Sequence, residues 1–487
     1  MLPTLATSNT FFRVLAIFNL FASLTSVHAA TSYANDFVDP DYILAKDYGS
    51  SGSPAKLTIA GWARELAAKG PWTVTNKTAT PPTGDKRTYM SWAPYWWPDC
   101  SQAGNTTALS DEQVWTTCRY ISRDGIFNPD ARLVVNDVGA FQDLSDAVLY
   151  NAIAWALSNA TSNEYSKNVV NFVNTWFLDD TTGMLPNLDY AQQLRGPGDP
   201  KGSHTGVLDL KGMSKIVSGI LILRKGNCPD WAPELDARMV DWSKRYITWL
   251  ETADLAIEEA LSTNNHGSFY YNQLAALYLL VNNNPAARNV TDTFFRGIYM
   301  NQIEANGEQG FCSSASQPLE AARTRPYHYR AYNLAAMITN ARIGIYAAPD
   351  APSPFQFKTS QGATIQSALD FAIAFKASDS KEDDYASELN PNVAAVAAEY
   401  GDLDGKYAGY LKVNEPDYPA EAWFLWNQPL SDSGLSAQAS MSGVASGPES
   451  TTLSKPSTGA SDNGAASVRG GIASIGLGLL VALISPW

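Results

Sequence analysis

Apolar residues recur at helical spacing along most of this chain. The segments 140–157, 163–177, 208–223, 233–250, 270–281, 291–303, 332–346, 365–375 and 392–400 each place them at i, i+3 and i+4. Stretches rich in Gly, Pro or Asn separate one segment from the next. Few runs alternate strictly enough to be strands. Antiparallel helices with long aromatic loops predict an all-α protein, built as an (α/α) toroid, an incomplete barrel or another helical array. No fixed-period repeat asks for a solenoid. Residues 31–430 read as one domain.

The two ends break this pattern. Arg13 precedes the apolar run "VLAIFNLFASL", and "SVHAA" offers small residues for cleavage after Ala29 or Ala30, so residues 1–30 read as a secretory signal peptide. Residues 431–469 form a Ser-, Gly- and Ala-rich linker, and 470–487 a hydrophobic tail. Small residues at Ser461, Asn463 and Gly464, a polar spacer and the terminal apolar run fit a GPI-attachment signal. Ser461 or Asn463 is the expected lipid-bearing residue, and membrane contact is expected through that anchor alone. Four sequons, at Asn76, Asn105, Asn159 and Asn289, suit a secreted glycoprotein at the cell surface. Among the four cysteines, Cys100 is expected to pair with Cys118 and Cys228 with Cys312.

Charge narrows the partners. A net charge of -14 leaves no general basic surface, which excludes nucleic acid. A polyanion can still bind where arginines, asparagines and helix N-termini cluster, because exposed charges are screened within about 10 Å. Fourteen tryptophans and 23 tyrosines suit stacking against pyranose rings, and equally suit a large aromatic core.

Four stretches join polar chemistry to aromatics. "RTYMSWAPYWWPDC" and the following "RYISRDGIFNP" make a sugar-stacking wall from Tyr95, Trp96, Trp97 and Arg123, or a satellite core pinned by Cys100–Cys118. In "LPNLDYAQ", Asn187 and Tyr190 would share a face on a helical turn. "NNHGSFYYNQLAALYLL" sets Asn265 and His266 before an apolar helix expected to start near Phe269, with Ser268 or Asn265 as its cap. A helix N-terminus favours anions. "EAARTRPYHYRAYNLAA" gathers Arg323, Arg325, Tyr329 and their neighbours at a helix that Pro326 opens, with Glu320 the one acid nearby. An arginine beside a tyrosine is expected to lower the phenol from about 10 and so prepare it as a base.

Together these groups suit β-elimination from a uronic acid. The C5 proton becomes removable once the carboxylate's charge is neutralised. Asn265 and Arg323 can do that, His266 or Tyr329 can take the proton, and a tyrosine hydroxyl can return one to the leaving oxygen. No metal or cofactor is required.

Read in order, "YMSWAPYWWPDC", "YISRDGIFNP", "LPNLDYAQ", "NNHGSFYYNQLAALYLL" and "ARTRPYHYRAYNLAAM" resemble the conserved blocks of alginate lyase-type polysaccharide lyases. The resemblance spans residues 89–344. It implies an (α/α) toroid and metal-independent cleavage of 1,4-linked uronans such as alginate or glucuronan. It further implies that Asn265 and His266 are the family's Asn-His pair, Arg323 its conserved arginine and Tyr329 its catalytic tyrosine. Asn187 becomes a further neutraliser or subsite residue. The chain departs from many relatives at Pro326, Tyr327 and His328. It also carries Tyr271 at a position where an acid is common, which makes glucuronan as fitting a substrate as alginate. Two other readings compete. A glycoside hydrolase needs two carboxylates across the sugar, from Asp124, Asp189, Glu258 or Glu259. A wall-binding protein would keep the fold without turnover.

Overall fold

The computed structural model describes residues 37–46, 48–104, 108–158, 161–198, 200–309 and 323–427. The signal and tail segments, Asn105, Asn159, Cys312 and Glu320 lie outside them. The chain enters through α1 (Pro40–Ala45), α2 (Ser53–Lys69), α3 (Asp111–Thr117), α4 (Asp137–Leu157) and α5 (Glu164–Val173). It continues through α6 (Met213–Lys225), α7 (Pro233–Thr252), α8 (Asp254–Ala260), α9 (Asn265–Leu280) and α10 (Asn284–Arg296). The last four are α11 (Pro326–Ala347), α12 (Ile365–Ala372), α13 (Asn390–Tyr400) and α14 (Lys406–Asn414).

From α4 onward, long helices alternate between two layers. α5, α7, α10 and α12 each bury one stripe; in α10 it is Ala287, Val290, Thr291, Phe294 and Phe295. That spacing is the signature of a helix with solvent on one side. α4, α6, α9, α11 and α13 are buried almost all round. They pack in succession, α4 on α6, α6 on α9, α9 on α11 and α11 on α13, with the amphipathic helices outside. Each large apolar side chain sealed between the layers, such as Trp155, Trp176 or Phe269, contributes about 1.5–3 kcal/mol.

The periodicity located the helices but not all their starts. α9 begins five residues before the expected apolar run and α11 six, because their first turns carry polar residues that the pattern skips. α9 is capped by neither Ser268 nor Asn265. The Asn264 side chain accepts from the His266 backbone N–H at 3.1 Å, which satisfies one of the orphan donors at a helix start. Gly267 is required in this turn: a Cβ there would lie 2.1 Å from the Ser262 carbonyl oxygen.

One two-stranded ribbon interrupts the helices. β1 (Trp96–Asp99) pairs antiparallel with β2 (Arg119–Ser122), and the expected Cys100–Cys118 disulfide closes it. Cys228 is a buried free thiol, and its expected partner, Cys312, lies outside the described residues. The two sequons within the described residues, Asn76 and Asn289, are both exposed.

Gly267→Ala forces the 258–262 turn away from α9. It is expected to lower stability by about 1–3 kcal/mol, readable as a fall in Tm. An unchanged Tm would show that this turn yields freely.

Candidate active site

The inner helices bring their N-terminal turns to one side of the ring. α6 and α9 run parallel: Arg224 near the end of α6 donates to the Leu280 carbonyl at the end of α9 at 2.9 Å. At their other ends the rings of His204 and His266 are 6.3 Å apart. α11 joins them through Ser268, which donates to Asn333 at 2.9 Å, and through Phe269, whose ring centre is 4.4 Å from that of Tyr332.

At the start of α9 a single carboxylate serves two histidines. Glu259 is fully buried; one oxygen meets His266 Nδ1 at 2.8 Å and the other meets His204 Nδ1 at 2.5 Å. Burial alone would raise this carboxyl. The charge of His266 and the hydrogen bonds from both rings outweigh burial and hold it below the usual range. An ionised carboxylate only accepts, so each Nδ1 carries its hydrogen. Burial opposes the charge on His204, yet Glu259 and Glu258 hold its proton more firmly than usual. In neutral His266 the free lone pair is therefore on Nε2. Asn265, the next residue back, is buried in the same turn.

The start of α11 is a cluster of cations and phenols. Arg323 stacks on the Tyr329 ring at 3.8 Å, while its guanidinium forks onto Asp124 at 2.8 and 3.2 Å. Thr324 donates to the same carboxylate at 2.8 Å. Arg330 forks onto Glu308, with both bonds at 2.8 Å. Among the described residues, the counter-charges for Arg323 and Arg330 come from other parts of the chain, Asp124 and Glu308. Arg325 differs. It donates to Tyr95 at 2.8 Å and to Tyr385, and no carboxylate lies within salt-bridge distance among the described residues. Tyr329 in turn donates to the Tyr95 hydroxyl at 3.2 Å.

The expected lowering of the tyrosine does not occur. Burial pushes Tyr329 far above the ordinary phenol range, the neighbouring Tyr95 adds to that, and Arg323 offsets only part of it. Arg323 shares its charge with Asp124, which explains the weak effect. Tyr329 is a proton donor in the free protein.

The other expected residues divide. Tyr95 belongs to the cluster. Trp96 and Trp97 lie half-exposed on β1 of the disulfide-closed ribbon, and Arg123 sits over the Trp97 ring at 5.1 Å. Asn187 and Tyr190 are in a loop, not a helical turn. Asn187 caps its own turn through the Asp189 N–H at 3.5 Å, and Tyr190 packs on the small core of Met90, Trp92, Ala131 and Val135. Tyr271 points the other way, toward Tyr270 and Phe294 of the outer layer. Three of the four hydrolase carboxylates are engaged: Asp124 by Arg323, Asp189 by the Trp249 indole at 2.7 Å, and Glu259 by the histidines; the fourth, Glu258, is exposed and lies 3.6 Å from His204 Nε2.

Three residues went unread in the sequence as members of the site. Tyr332 stacks on His328 and touches Phe269, and its hydroxyl makes no hydrogen bond to the described residues. Lys211, largely buried, lies 6.0 Å from the Tyr332 ring centre. Tyr385 comes from the loop before α13. The i+3 step from Tyr329 to Tyr332 could have signalled the first; nothing local signals the others.

One mouth of the helical ring thus gathers Asn265, His266, Tyr329 and an arginine, Arg325, that has no carboxylate partner among the described residues. The alginate lyase family profile matches residues 73–382, and the chain belongs to that family. Its fold matches an alginate lyase from Bacteroides ovatus with 26% identity and a TM-score of 0.68, over 81% of this chain and 100% of that one. Alginate lyase A1-III from Sphingomonas species A1 aligns at 14% identity and a TM-score of 0.41, over 82% of this chain and 97% of that one. Among curated proteins, none matches the chain by sequence. The all-α toroid expected from the periodicity is the fold observed.

His204 makes stability depend on pH. Its raised folded value means that the stabilisation is complete below the unfolded value of about 6.5 and is lost as pH rises through the folded one. The denaturant midpoint should therefore fall from pH 6 toward alkaline pH, by an amount missing in His204→Gln. Equal slopes in parent and variant would remove His204 as the cause.

Proposed function

We propose that this protein cleaves 1,4-linked uronic-acid polymers, alginate or glucuronan, by β-elimination at the cell surface. Arg325 carries the reading. It is a half-buried cation set among Tyr95, Tyr329 and Tyr385 with no carboxylate of its own among the described residues, so it is free to meet one on a sugar. A hydrolase would need two free carboxylates across the sugar; Asp124, Asp189 and Glu259 are engaged by protein partners, and exposed Glu258 has no second candidate to work with.

Arg325, with Asn265, neutralises the substrate carboxylate and its enediolate-like transition state. His266 takes the C5 proton on Nε2, the nitrogen that Glu259 leaves free. The electron pair left at C5 forms the C4–C5 double bond, and the bond from C4 to the glycosidic oxygen breaks. Tyr329, protonated by burial, supplies the proton for that oxygen, and Tyr95 is placed to pass one back. Trp97 and Arg123 hold sugar residues on the ribbon.

Each turnover leaves an unsaturated uronate that absorbs in the ultraviolet. Tyr329→Phe is expected to lower kcat at least 100-fold, in the usual range for a lost acid–base group. Arg325→Gln should lower kcat/KM by a similar factor. Tyr332→Phe, measured beside them, should cost less. A larger loss in Tyr332→Phe than in Tyr329→Phe would move the proton donor one turn along α11. New reducing ends without ultraviolet absorbance would overturn elimination altogether.

Secretion through residues 1–30 and GPI anchoring near Ser461 or Asn463 complete the proposal. They rest on the sequence patterns of those ends. Truncation after Ser461 should release active enzyme into the medium; loss of activity on truncation would make the tail part of the working fold.

A further inference from the structure

Lys211 is a second cation at this mouth, and nothing in the mechanism above uses it. It ends the 3-10 turn His204–Leu210, immediately before α6. Gly212 follows, in a place where a Cβ would lie 2.6 Å from the Ser145 hydroxyl of α4. The Lys211 ammonium lies 6.0 Å from the ring centre of Tyr332 on α11, an inner helix. Only 9% of the residue is exposed. An ammonium withdrawn from water is expected to have a partner, yet no carboxylate lies within salt-bridge distance of it among the described residues.

Asp209 is the obvious candidate and is already occupied. Its two oxygens receive Tyr89 at 3.1 Å, Gln192 at 2.9 Å and Ser91. Asp146 is taken by Lys215 at 2.6 Å. The charged groups that act on Lys211 are thus Asp209 and Asp146 on one side of the balance and Arg132 and Lys215 on the other. They do not make up for lost solvent, and burial lowers the lysine to about 8.

The position of Lys211 relative to Arg325 suggests its use. Arg325 approaches the Tyr329 ring at 5.9 Å, and Lys211 approaches the Tyr332 ring at 6.0 Å. Those tyrosines stand three residues apart on α11, about 4.5 Å along its axis. A uronan carries a carboxylate on every residue, so two cations addressing successive tyrosines can engage two sugars at once. We propose that Lys211 is the cation of a neighbouring subsite and binds the carboxylate of the uronic acid adjacent to the one being cleaved. This rests on the lyase reading above.

The test uses the full enzyme with Lys211→Met and Lys211→Arg. Initial rates are measured on polymannuronate, polyguluronate and polyglucuronate. Binding of the matching tetrauronate is measured by calorimetry in a Tyr329→Phe background at pH 7 and pH 9. A charge-assisted contact predicts that Lys211→Met raises KM and Kd about 10- to 100-fold, with a smaller change in kcat, while Lys211→Arg keeps most of the affinity. Tetrauronate binding by the Lys211-intact protein should weaken at pH 9, as the ammonium loses its proton, and that loss should be absent in Lys211→Met. Unchanged Kd in a folded Lys211→Met protein overturns the subsite and leaves the lyase reading intact. A parent that forms no unsaturated ends from any uronan overturns the reading beneath it. If Lys211→Met does not fold, equal tetrauronate affinity at the two pH values in the Lys211-intact protein overturns the subsite.

Discussion

A charge withdrawn from water must be met by another charge or by dense hydrogen bonding, and that requirement organises this protein. The inner helices are apolar almost throughout, yet their first turns carry arginines, histidines and amides. Those turns hold together because other elements bring the matching groups. Asp124 reaches Arg323 across 199 residues of sequence. Glu308 reaches Arg330, and Glu259 reaches both His204 and His266. Break one of these pairs and a buried charge is left without its partner, a far larger loss than an exposed ion pair would represent. Arg325 and Lys211 stand out because the same rule is left open at each.

Much of the fold was legible because its outer helices obey a simple stripe and its inner helices are long apolar runs. The disulfide of the aromatic ribbon was legible from spacing. The apolar period by itself passed over the polar first turns of α9 and α11, although Pro326 marked where α11 begins. The starts of α9 and α11 look like loop in the pattern, since Asn265, His266, Tyr327 and His328 interrupt the apolar period there. Those interruptions carry the residues of the proposed site.

Residue types in a motif told which side chains could do chemistry, but not which were already spent. Arg323 and Arg325 read alike in sequence, two residues apart. In space one is neutralised by Asp124, and the other is bracketed by phenols. Tyr329 was expected to be acidified by its arginine and is instead held protonated by burial. The Asn187 and Tyr190 pair failed because Pro186 and the Asn187 turn keep that stretch out of a helix. Tyr271 failed because its place on α9 faces outward. Pairings between distant segments decided the arginines and Tyr329, and no local window contains them.

The ribbon closed by Cys100–Cys118 supports more than a stacking surface. Tyr95 stands at its base, one residue before β1, and is the group through which Arg325 and Tyr329 touch. The proposed catalytic cluster is therefore assembled partly from an element that a disulfide holds closed. Competence then depends on the redox history of the chain: protein matured among reducing thiols would possess the toroid, the histidine pair and the arginines, yet hold its central phenol on a ribbon with an unfastened end.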